Sequence, residues 1–309
     1  MSLKSLKIFL AAAACFVGSA HAEEPLMPPP PSAELAAAFP NAPAVLPCGT
    51  TPEGMACIPG GPFLRGSNDG PDMAKPQAPV WAQTFFMDVN EVTFAQYKAC
   101  ERKGKCDKAG PKYRDFDRPN QPINGVSWYD AVKFCAAQGK HLPTEAQWEK
   151  AARGTDGRTH PWGNEPSTCE RAVIMDETGR SCGVKKKGSE PDKGRVFEVG
   201  LKPAYLYGLK DIVGNSYEWV ADWYSHSWAE CGEACLGIDP KGPCEGKEPC
   251  KGHRRKVVRG GSWYWGPDHN NSVYRREHIP ANNPEYHHFG FRCAASVEEA
   301  AKIVEKSAK

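Results

Sequence analysis

The chain has 309 residues, of which 40% are hydrophobic and 25% charged, and 39 basic against 37 acidic side chains leave a formal charge of +2. This composition can fill one sizeable core, which excludes an intrinsically disordered protein, and the length is compatible with a single elaborate domain. Because the charge is nearly balanced, DNA and RNA are not expected as partners.

Residues 1–22 have the features of a secretory signal peptide. Two lysines precede an apolar run over residues 8–20, and Ala20-His21-Ala22 forms the small-x-small cleavage sequence. We expect cleavage after Ala22 and a periplasmic or secreted protein. The run is shorter than the roughly 20 residues of a membrane helix, so no membrane span is expected. The alternative is a lipoprotein anchored through Cys15, although Ala12 stands where that signal has leucine.

Export favours disulfide bonds. Removing Cys15 with the signal peptide leaves an even number of the 13 cysteines in an oxidising compartment, where thiols pair. Zinc ligation is the alternative, but it favours CxxC pairs and the chain has none. Proximity in sequence predicts the pairs Cys48–Cys57, Cys100–Cys106 and Cys169–Cys182. Four further cysteines are expected to pair among themselves in an open order: Cys231, Cys235, Cys244 and Cys250.

Residues 23–47 are rich in proline and alanine and are predicted to be a linker. A folded domain is expected over residues 48–295, followed by a helical tail over residues 296–309 with apolar residues at helical spacing. Capping boxes at Thr93, Ser127 and Thr144 predict three helix starts, and the second helix turns Cys135 towards the core. Strands are predicted in "GPFLRG", "VWAQTFFMDV" and "KVVRGG".

Several segments together resemble one family. They are "GMACIPGGPFLRGS", "INGVSWYDAVKFCAAQGKHLPTEAQWEKAARG", "YGLKDIVGNSYEWVADWY", "VVRGGSW" and "FGFRCA". In this order they are similar to the domain of formylglycine-generating enzymes, or sulfatase-modifying factors. The resemblance implies an α+β fold related to the C-type lectin fold, with little regular secondary structure and many disulfides. It also implies that Cys135 pairs with Cys293.

The resemblance does not extend to the residues that carry the family's reaction. Family members bind copper through two cysteines and use oxygen to convert a substrate cysteine to formylglycine. Those cysteines fall at Trp265 and Asn270, and no cysteine lies between residues 251 and 292. Since Cu(I) prefers soft thiolate ligands, neither copper nor formylglycine-generating oxidase activity is expected.

The stretch around these two positions is a candidate ligand surface, with aromatic residues at its centre and charged residues at its edges. The candidate residues are Trp263, Tyr264, Trp265, His269, Asn270, Arg275, Arg276, Glu277 and His278. An alternative is that the aromatics fill the core. Another is that four histidines between residues 269 and 288 bind a metal, although their spacing matches no tight motif.

Two functions remain open. The first is a non-catalytic binding module for an envelope protein, a peptide or a glycan. The second is an enzyme of different chemistry, similar to exported family members that mature peptide siderophores and also lack the copper cysteines. No pair of nucleophile and base stands out, and nothing in the sequence places the carboxylates of Glu165 and Asp222 side by side. We therefore favour the binding module.

The resemblance also implies one calcium ion in "DIVGNSYE". Its ligands would be the carboxylates of Asp211 and Glu218 and the backbone carbonyls of Gly214 and Ser216, with water completing the shell. A turn that is capped without a metal is the alternative. A second calcium site of the family is expected to be lost, because Val173 stands where a side-chain oxygen is needed.

Overall fold

Six α-helices and ten strands occur in the part of the chain that the computed structural model describes, residues 25–184, 194–283 and 286–308. The helices are α1 (Ala33–Ala37), α2 (Phe94–Arg102), α3 (Trp128–Ala137), α4 (Glu145–Arg153), α5 (Trp228–Cys231) and α6 (Val297–Ser307). The strands are β1 (Met55–Ile58), β2 (Gly61–Arg65), β3 (Ala78–Ala82), β4 (Phe85–Asp88), β5 (Tyr217–Trp223), β6 (Gly237–Ile238), β7 (Lys256–Arg259), β8 (Arg276–His278), β9 (Phe289–Gly290) and β10 (Ala294–Ser296). The predicted signal peptide, residues 1–22, lies outside the described residues.

Side-chain caps determine where the main helices begin. The hydroxyls of Thr93, Ser127 and Thr144 each accept a hydrogen bond from the backbone N–H three residues later, and the side chain there bonds back to the cap. The three predicted helix starts are thus confirmed. Ser296 caps α6 in the same way, so the predicted C-terminal helix is also present.

The strands form three small sheets, in the orders β1-β4-β10, β2-β3-β6 and β8-β7-β5-β9. The strands predicted in "GPFLRG" and "KVVRGG" correspond to β2 and β7. The segment predicted as one strand over residues 80–89 is two strands, β3 and β4. Gln83 and Thr84 interrupt it because they bond outside the sheets: the Gln83 backbone N–H donates to Asp239 and the Thr84 hydroxyl to the Leu46 carbonyl.

The core lies on both sides of β5. On one side, α2 and α3 pack against it in a cluster that includes Tyr97, Phe134 and Trp219. On the other side, Trp148 of α4 packs with Val220 and residues of β1, β4 and β7. Since β7 runs beside β5 and ends at Arg259, this packing fixes the position at which the candidate ligand stretch begins.

Six disulfides pair all twelve cysteines of the described residues. The four predicted pairs are confirmed: Cys48–Cys57, Cys100–Cys106, Cys135–Cys293 and Cys169–Cys182. The four cysteines whose order was open pair as Cys231–Cys235 and Cys244–Cys250. Cys135 is fully buried, as predicted, and its bond joins α3 to the chain just before β10.

The proline- and alanine-rich stretch is not a free linker over its described part, residues 25–47. It contains α1, whose Leu35 is buried, and its backbone bonds to the domain at several points. The carbonyl of Leu26 accepts from the backbone N–H of Tyr207, and the Thr155 hydroxyl donates to the carbonyl of Pro29. Prolines lose little conformational entropy on folding, so a few such contacts suffice to hold the segment in place.

Candidate ligand-binding site

The turn after β7 has a shape that only glycine allows. Gly261 has φ +83°, and a Cβ atom on it would lie 2.2 Å from Oδ1 of Asn270. The Asn270 side chain is fully buried, and its Nδ2 donates to the carbonyls of Trp265, at 2.6 Å, and Gly266, at 2.8 Å. The amide at the second copper-cysteine position therefore holds the turn together and does not face a ligand.

Several predicted ligand residues point into the protein. Trp263 is 2% exposed and packs with Phe116 and Val173, so here the alternative of a core aromatic is correct. Arg275 is 1% exposed, and its Nε and Nη2 donate to the Glu145 carboxylate at 2.7 and 2.9 Å. The prediction that Trp263, Asn270 and Arg275 line a ligand surface needs correction, because all three side chains are buried and turned into the protein.

His278 is also mostly buried, at 8% exposure. Its ring packs against Trp219 and Phe289, and its Nδ1 lies 3.0 Å from the Ile279 carbonyl. Glu277 is exposed and pairs with Arg255 at 3.7 Å, which directs its charge towards that neighbour. Neither residue belongs to the group that surrounds Trp265.

The remaining predicted residues form one half-buried surface with an arginine that the sequence did not indicate. The guanidinium carbon of Arg180 lies 3.4 Å from the centre of the Tyr264 ring, and that of Arg276 lies 5.2 Å from the centre of the Trp265 ring. Trp265 and His269 stack at 4.9 Å. We call these five residues the aromatic–arginine surface. Arg180 comes from a loop closed by the Cys169–Cys182 disulfide, so its arrival here depends on tertiary structure.

The electrostatics of this surface favour anions. Arg180 and Arg276 bring two guanidinium groups to the half-buried pair Tyr264 and Trp265. Burial lowers the pKa of His269, and the nearby charge of Arg276 lowers it further, so this imidazole is neutral at pH 7. Glu277 is paired with Arg255 and does not neutralise the guanidinium groups. The surface therefore offers π faces and positive charge together.

Two cavities flank the turn at Pro267. One, of about 490 Å³, is lined by residues that include His160, Asn164, Asp268, His269 and Tyr274. The other, of about 570 Å³, is lined by residues that include Glu170, Met175, Asp176 and Gly266. His269 lines the first cavity and also belongs to the aromatic–arginine surface, so the two are adjacent.

The described residues do not contain three His, Cys, Asp or Glu side chains that converge as ligands for a metal. The histidines make ring contacts instead: His288 packs on Tyr264 and His278 on Phe289. The two carboxylates considered from the sequence, those of Asp222 and Glu165, differ in burial. Asp222 is buried and accepts a hydrogen bond from the Glu145 backbone at 2.7 Å, whereas Glu165 is exposed.

The two carboxylates among the predicted calcium ligands already accept hydrogen bonds from other groups of the protein. Glu218 is fully buried, with its carboxylate bonded by Arg292 at 2.7 to 2.9 Å and by Trp148 Nε1 at 2.8 Å. This carboxylate is already neutralised, which argues against its role as a calcium ligand. Asp211 is buried and accepts a hydrogen bond from the Gly200 backbone at 2.6 Å. Val173, at the second family site, lies in an apolar cluster.

Glu91, which was not predicted as a site residue, has a buried carboxylate close to those of Asp211 and Glu218. Glu91 is 1% exposed; its Oε2 accepts from Asn215 at 3.0 Å, while its Oε1 has no partner among the described residues. Burial raises the pKa of Glu91 well above its usual value, and the charges of Asp211 and Glu218 raise it further. Glu91 therefore lies within electrostatic reach of Asp211, one of the predicted calcium ligands.

Comparison with known proteins agrees with the resemblance. Residues 43–297 match the sulfatase-modifying factor enzyme 1-like domain family. The formylglycine-generating enzyme of Thermomonospora curvata is 36% identical over 235 residues, covering 72% of this chain and 66% of that protein, just under two thirds. The formylglycine-generating enzyme of Bos taurus is 30% identical over 315 residues, covering 82% of this chain and 78% of that protein.

A solved structure shares the fold. PvdO from Pseudomonas aeruginosa superimposes with a TM-score of 0.60 at 24% identity, covering 78% of this chain and 94% of that one. At this identity the similarity concerns the fold alone. Together with the family match and the relatives, it shows that this chain is a disulfide-rich α+β member of the sulfatase-modifying factor enzyme 1-like domain family, to which formylglycine-generating enzymes belong.

Proposed function

We propose that this protein is an exported binding module that has lost the copper chemistry of its family and binds its partner at the aromatic–arginine surface. One observation carries the proposal: all twelve cysteines of the described residues are in disulfides. The only other cysteine, Cys15, belongs to the predicted signal peptide. A disulfide sulfur is not a thiolate and cannot bind Cu(I) in the way the family requires.

The residues at the two former copper positions support the same conclusion. The indole of Trp265 has no electron pair suited to a soft metal. The side-chain amide of Asn270 donates its hydrogen bonds to carbonyls of its own turn. What this region does offer is ring surface and two guanidinium groups. Trp and Tyr give large contact area at low entropic cost, and Arg binds carboxylate or phosphate with a fork of donors.

The partner that fits best carries an aromatic group and a negative charge, as an acidic peptide or a protein loop with an aromatic residue does. The ring would pack near Tyr264 and Trp265, and the anion would bind Arg276 or Arg180. The cavity beside His269, of about 490 Å³, gives such a group room. A glycan with acidic substituents could use the same donors and is the main competitor.

One observation favours an enzyme as the second candidate. His269 is held neutral by burial and by Arg276, and it lines a cavity together with Asp268 and Tyr274. A neutral imidazole in a concave site can serve as a general base. This would suit an exported maturation enzyme of different chemistry, such as the siderophore type. We rank it second because, in the described part of the chain, no hydrogen bond joins His269 to the hydroxyl groups of Ser67, Thr159 or Tyr274 that line the same cavity.

We also propose that the protein works in the periplasm or outside the cell. Six disulfides are typical of oxidising compartments. Among the described residues, no helix combines the length and the apolar character needed to cross a membrane. Sequencing the N-terminus of the mature protein tests the proposal: Glu23 is expected as the first residue, whereas a lipid on Cys15 would establish a lipoprotein.

A single structural calcium ion is the remaining proposal. Asp211 and Glu91 would supply its negative charge, and the carbonyls of Gly214 and Ser216 its neutral oxygens. Glu218 would orient Arg292 and would not bind the ion itself. Bound calcium would offset the repulsion among buried carboxylates and so stabilise the domain; it would take no part in ligand binding.

Binding at the proposed surface can be tested with three related probes. N-acetyltryptophan has both a ring and a carboxylate, N-acetyltryptophan amide lacks the charge, and N-acetylglycine lacks the ring. We expect measurable binding by calorimetry or NMR for the first and much weaker binding for the other two. Equal binding of all three, or chemical-shift changes confined to residues far from Trp265, would refute this location.

A further inference from the structure

A cluster of ionised side chains is buried between α4, β2 and β7, apart from the proposed binding surface. Each member is at most 1% exposed. The cluster contains four arginines and only two carboxylates: Arg65, Arg153, Arg259, Arg275, Glu145 and Glu149. The group therefore carries an excess of two positive charges in a place from which bulk water is excluded.

The two carboxylates are bonded to the other three arginines of the cluster. Glu145 binds Arg275 through both oxygens and Arg259 at 2.5 Å. Glu149 accepts from Arg153 at 2.6 Å, from Arg259 at 3.0 Å and from the backbone of Gly66 at 2.7 Å. Neither accepts a hydrogen bond from Nε or Nη1 of Arg65.

Arg65, at the end of β2, is the arginine left over. It is 1% exposed, yet its Nε and Nη1 have no hydrogen-bond partner among residues 25–184, 194–283 and 286–308. Its guanidinium carbon lies 3.9 Å from the centre of the Trp228 ring, against which Arg275 also packs at 3.6 Å. Two more buried donors of this region, Nε of Arg259 and Nε1 of Trp228, are likewise unpartnered in the described chain.

Such an arrangement is costly unless something compensates it. A buried donor without an acceptor loses its hydration, and a buried charge without a counter-charge loses much more. Burial, together with the charges of Arg275 and Arg259, lowers the pKa of Arg65 to about 10 despite the opposing effect of Glu149. At neutral pH the side chain still keeps its proton and its charge.

We infer that Arg65 holds a small monovalent anion, of the chloride type, as a structural part of the folded domain. A buried water could satisfy the donors of Arg65, but it would leave the excess positive charge uncompensated. A small anion compensates both the unpartnered donors and the excess positive charge, since it accepts hydrogen bonds and is itself negatively charged. Chloride fits a site made of guanidinium N–H and indole N–H donors, here those of Arg65, Arg259 and Trp228.

The test measures the melting temperature of the protein while sodium chloride replaces sodium gluconate at constant ionic strength. Between low and about 100 mM chloride we expect a rise of roughly 4 °C, as mass action predicts for a ligand that binds only the folded state with millimolar affinity. Arg65→Met, which keeps the length of the side chain and removes its charge and donors, should abolish the rise. Arg171→Met is the matched control, because Arg171 also packs on a tryptophan, Trp162 at 5.7 Å, and it should keep the rise.

A second measurement protects the test against a variant that fails to fold. Crystals of the unmodified protein grown in bromide should show an anomalous peak within hydrogen-bond distance of Arg65 Nε or Nη1. A water molecule at that position without anomalous signal would overturn the inference. So would a melting temperature that does not depend on chloride, or a rise that Arg65→Met leaves unchanged.

Discussion

Arg275 and Arg276 are consecutive residues whose side chains go to opposite sides of the chain. Arg275 is buried and bound to the carboxylate of Glu145, while Arg276 lies half-buried over the ring of Trp265. Arg276 is the first residue of β8, and side chains alternate between the two faces of a strand. One arginine thus belongs to the ionic core, and the other belongs to the proposed binding surface.

Replacing Arg276 should weaken binding without unfolding the protein. For Arg276→Ala we expect a loss of about 1 to 3 kcal/mol in binding of N-acetyltryptophan, or about 5- to 150-fold in Kd, because an anchoring guanidinium is removed. Calorimetry gives the Kd and thermal unfolding gives the stability. Arg254→Ala, an exposed arginine outside the surface, should leave both unchanged. A normal Kd for Arg276→Ala would move the site elsewhere.

The disulfide between Cys135 and Cys293 should stabilise the fold more than the shorter links do. The two cysteines are 158 residues apart in sequence, whereas Cys244 and Cys250 are 6 apart. On the chain-entropy model, removing the long link costs about 5 kcal/mol and the short one about 2 kcal/mol. Urea unfolding of the two double Cys→Ala variants measures the difference. Equal losses would contradict the loop-length argument.

The pairing pattern and the helix starts could be predicted from sequence because they are local or family-wide features. A capping box lies within four residues, as at Thr144, and short-range cysteines such as Cys100 and Cys106 have few alternatives. Whether a side chain faces the core or the solvent depends on residues that are distant in sequence. Arg275 and Trp263 look like surface residues in the sequence because Glu145 and Phe116, which cover them, are distant in the chain.

The calcium ligands show a second limit of sequence reasoning. Carrying the family's ligands over residue by residue assigned Glu218, but the arginine that neutralises it comes from a segment 74 residues away. Glu91 was missed for the same reason, since nothing in "NEVT" indicates that its carboxylate is buried beside Asp211. The identity of a residue is readable from the sequence, whereas its electrostatic neighbours are not.

Calcium should stabilise the protein through Asp211 and Glu91. Adding calcium to protein stripped by a chelator should raise the free energy of unfolding, by about 2.7 kcal/mol when the ion is at 100 times its Kd. Glu91→Gln should reduce this gain, whereas Glu53→Gln, at an exposed position, should not. If thermal stability is the same with and without calcium, the turn is capped without a metal.

Acid should destabilise the protein between pH 6.5 and 4 through its buried histidines. Burial lowers the pKa of His160 and of His278 from 6.5 to about 4. As the pH falls through this window, the unfolded chain takes up protons that the folded chain does not, so stability is present above pH 6.5 and is lost towards pH 4. For His160, which is 4% exposed, the loss amounts to about 3 kcal/mol.

The variant His160→Gln isolates this effect, because other titrating groups cancel in the difference from the parent protein. Urea unfolding at pH 7 and at pH 4.5 should show a smaller loss of stability for the variant. His226→Gln, at an exposed position, serves as the control and should behave like the parent. An identical loss in all three proteins would mean that His160 is not desolvated in solution.

The central claim is that this member of the family binds a partner and does not carry out thiolate-copper oxidation. Mass spectrometry of a cysteine-containing sulfatase-type peptide, incubated with the exported protein, copper and oxygen, tests it most directly. With Trp265 and Asn270 at the copper positions and every described cysteine in a disulfide, we predict that the peptide cysteine stays unconverted. Formylglycine that forms at a rate dependent on copper would contradict the account.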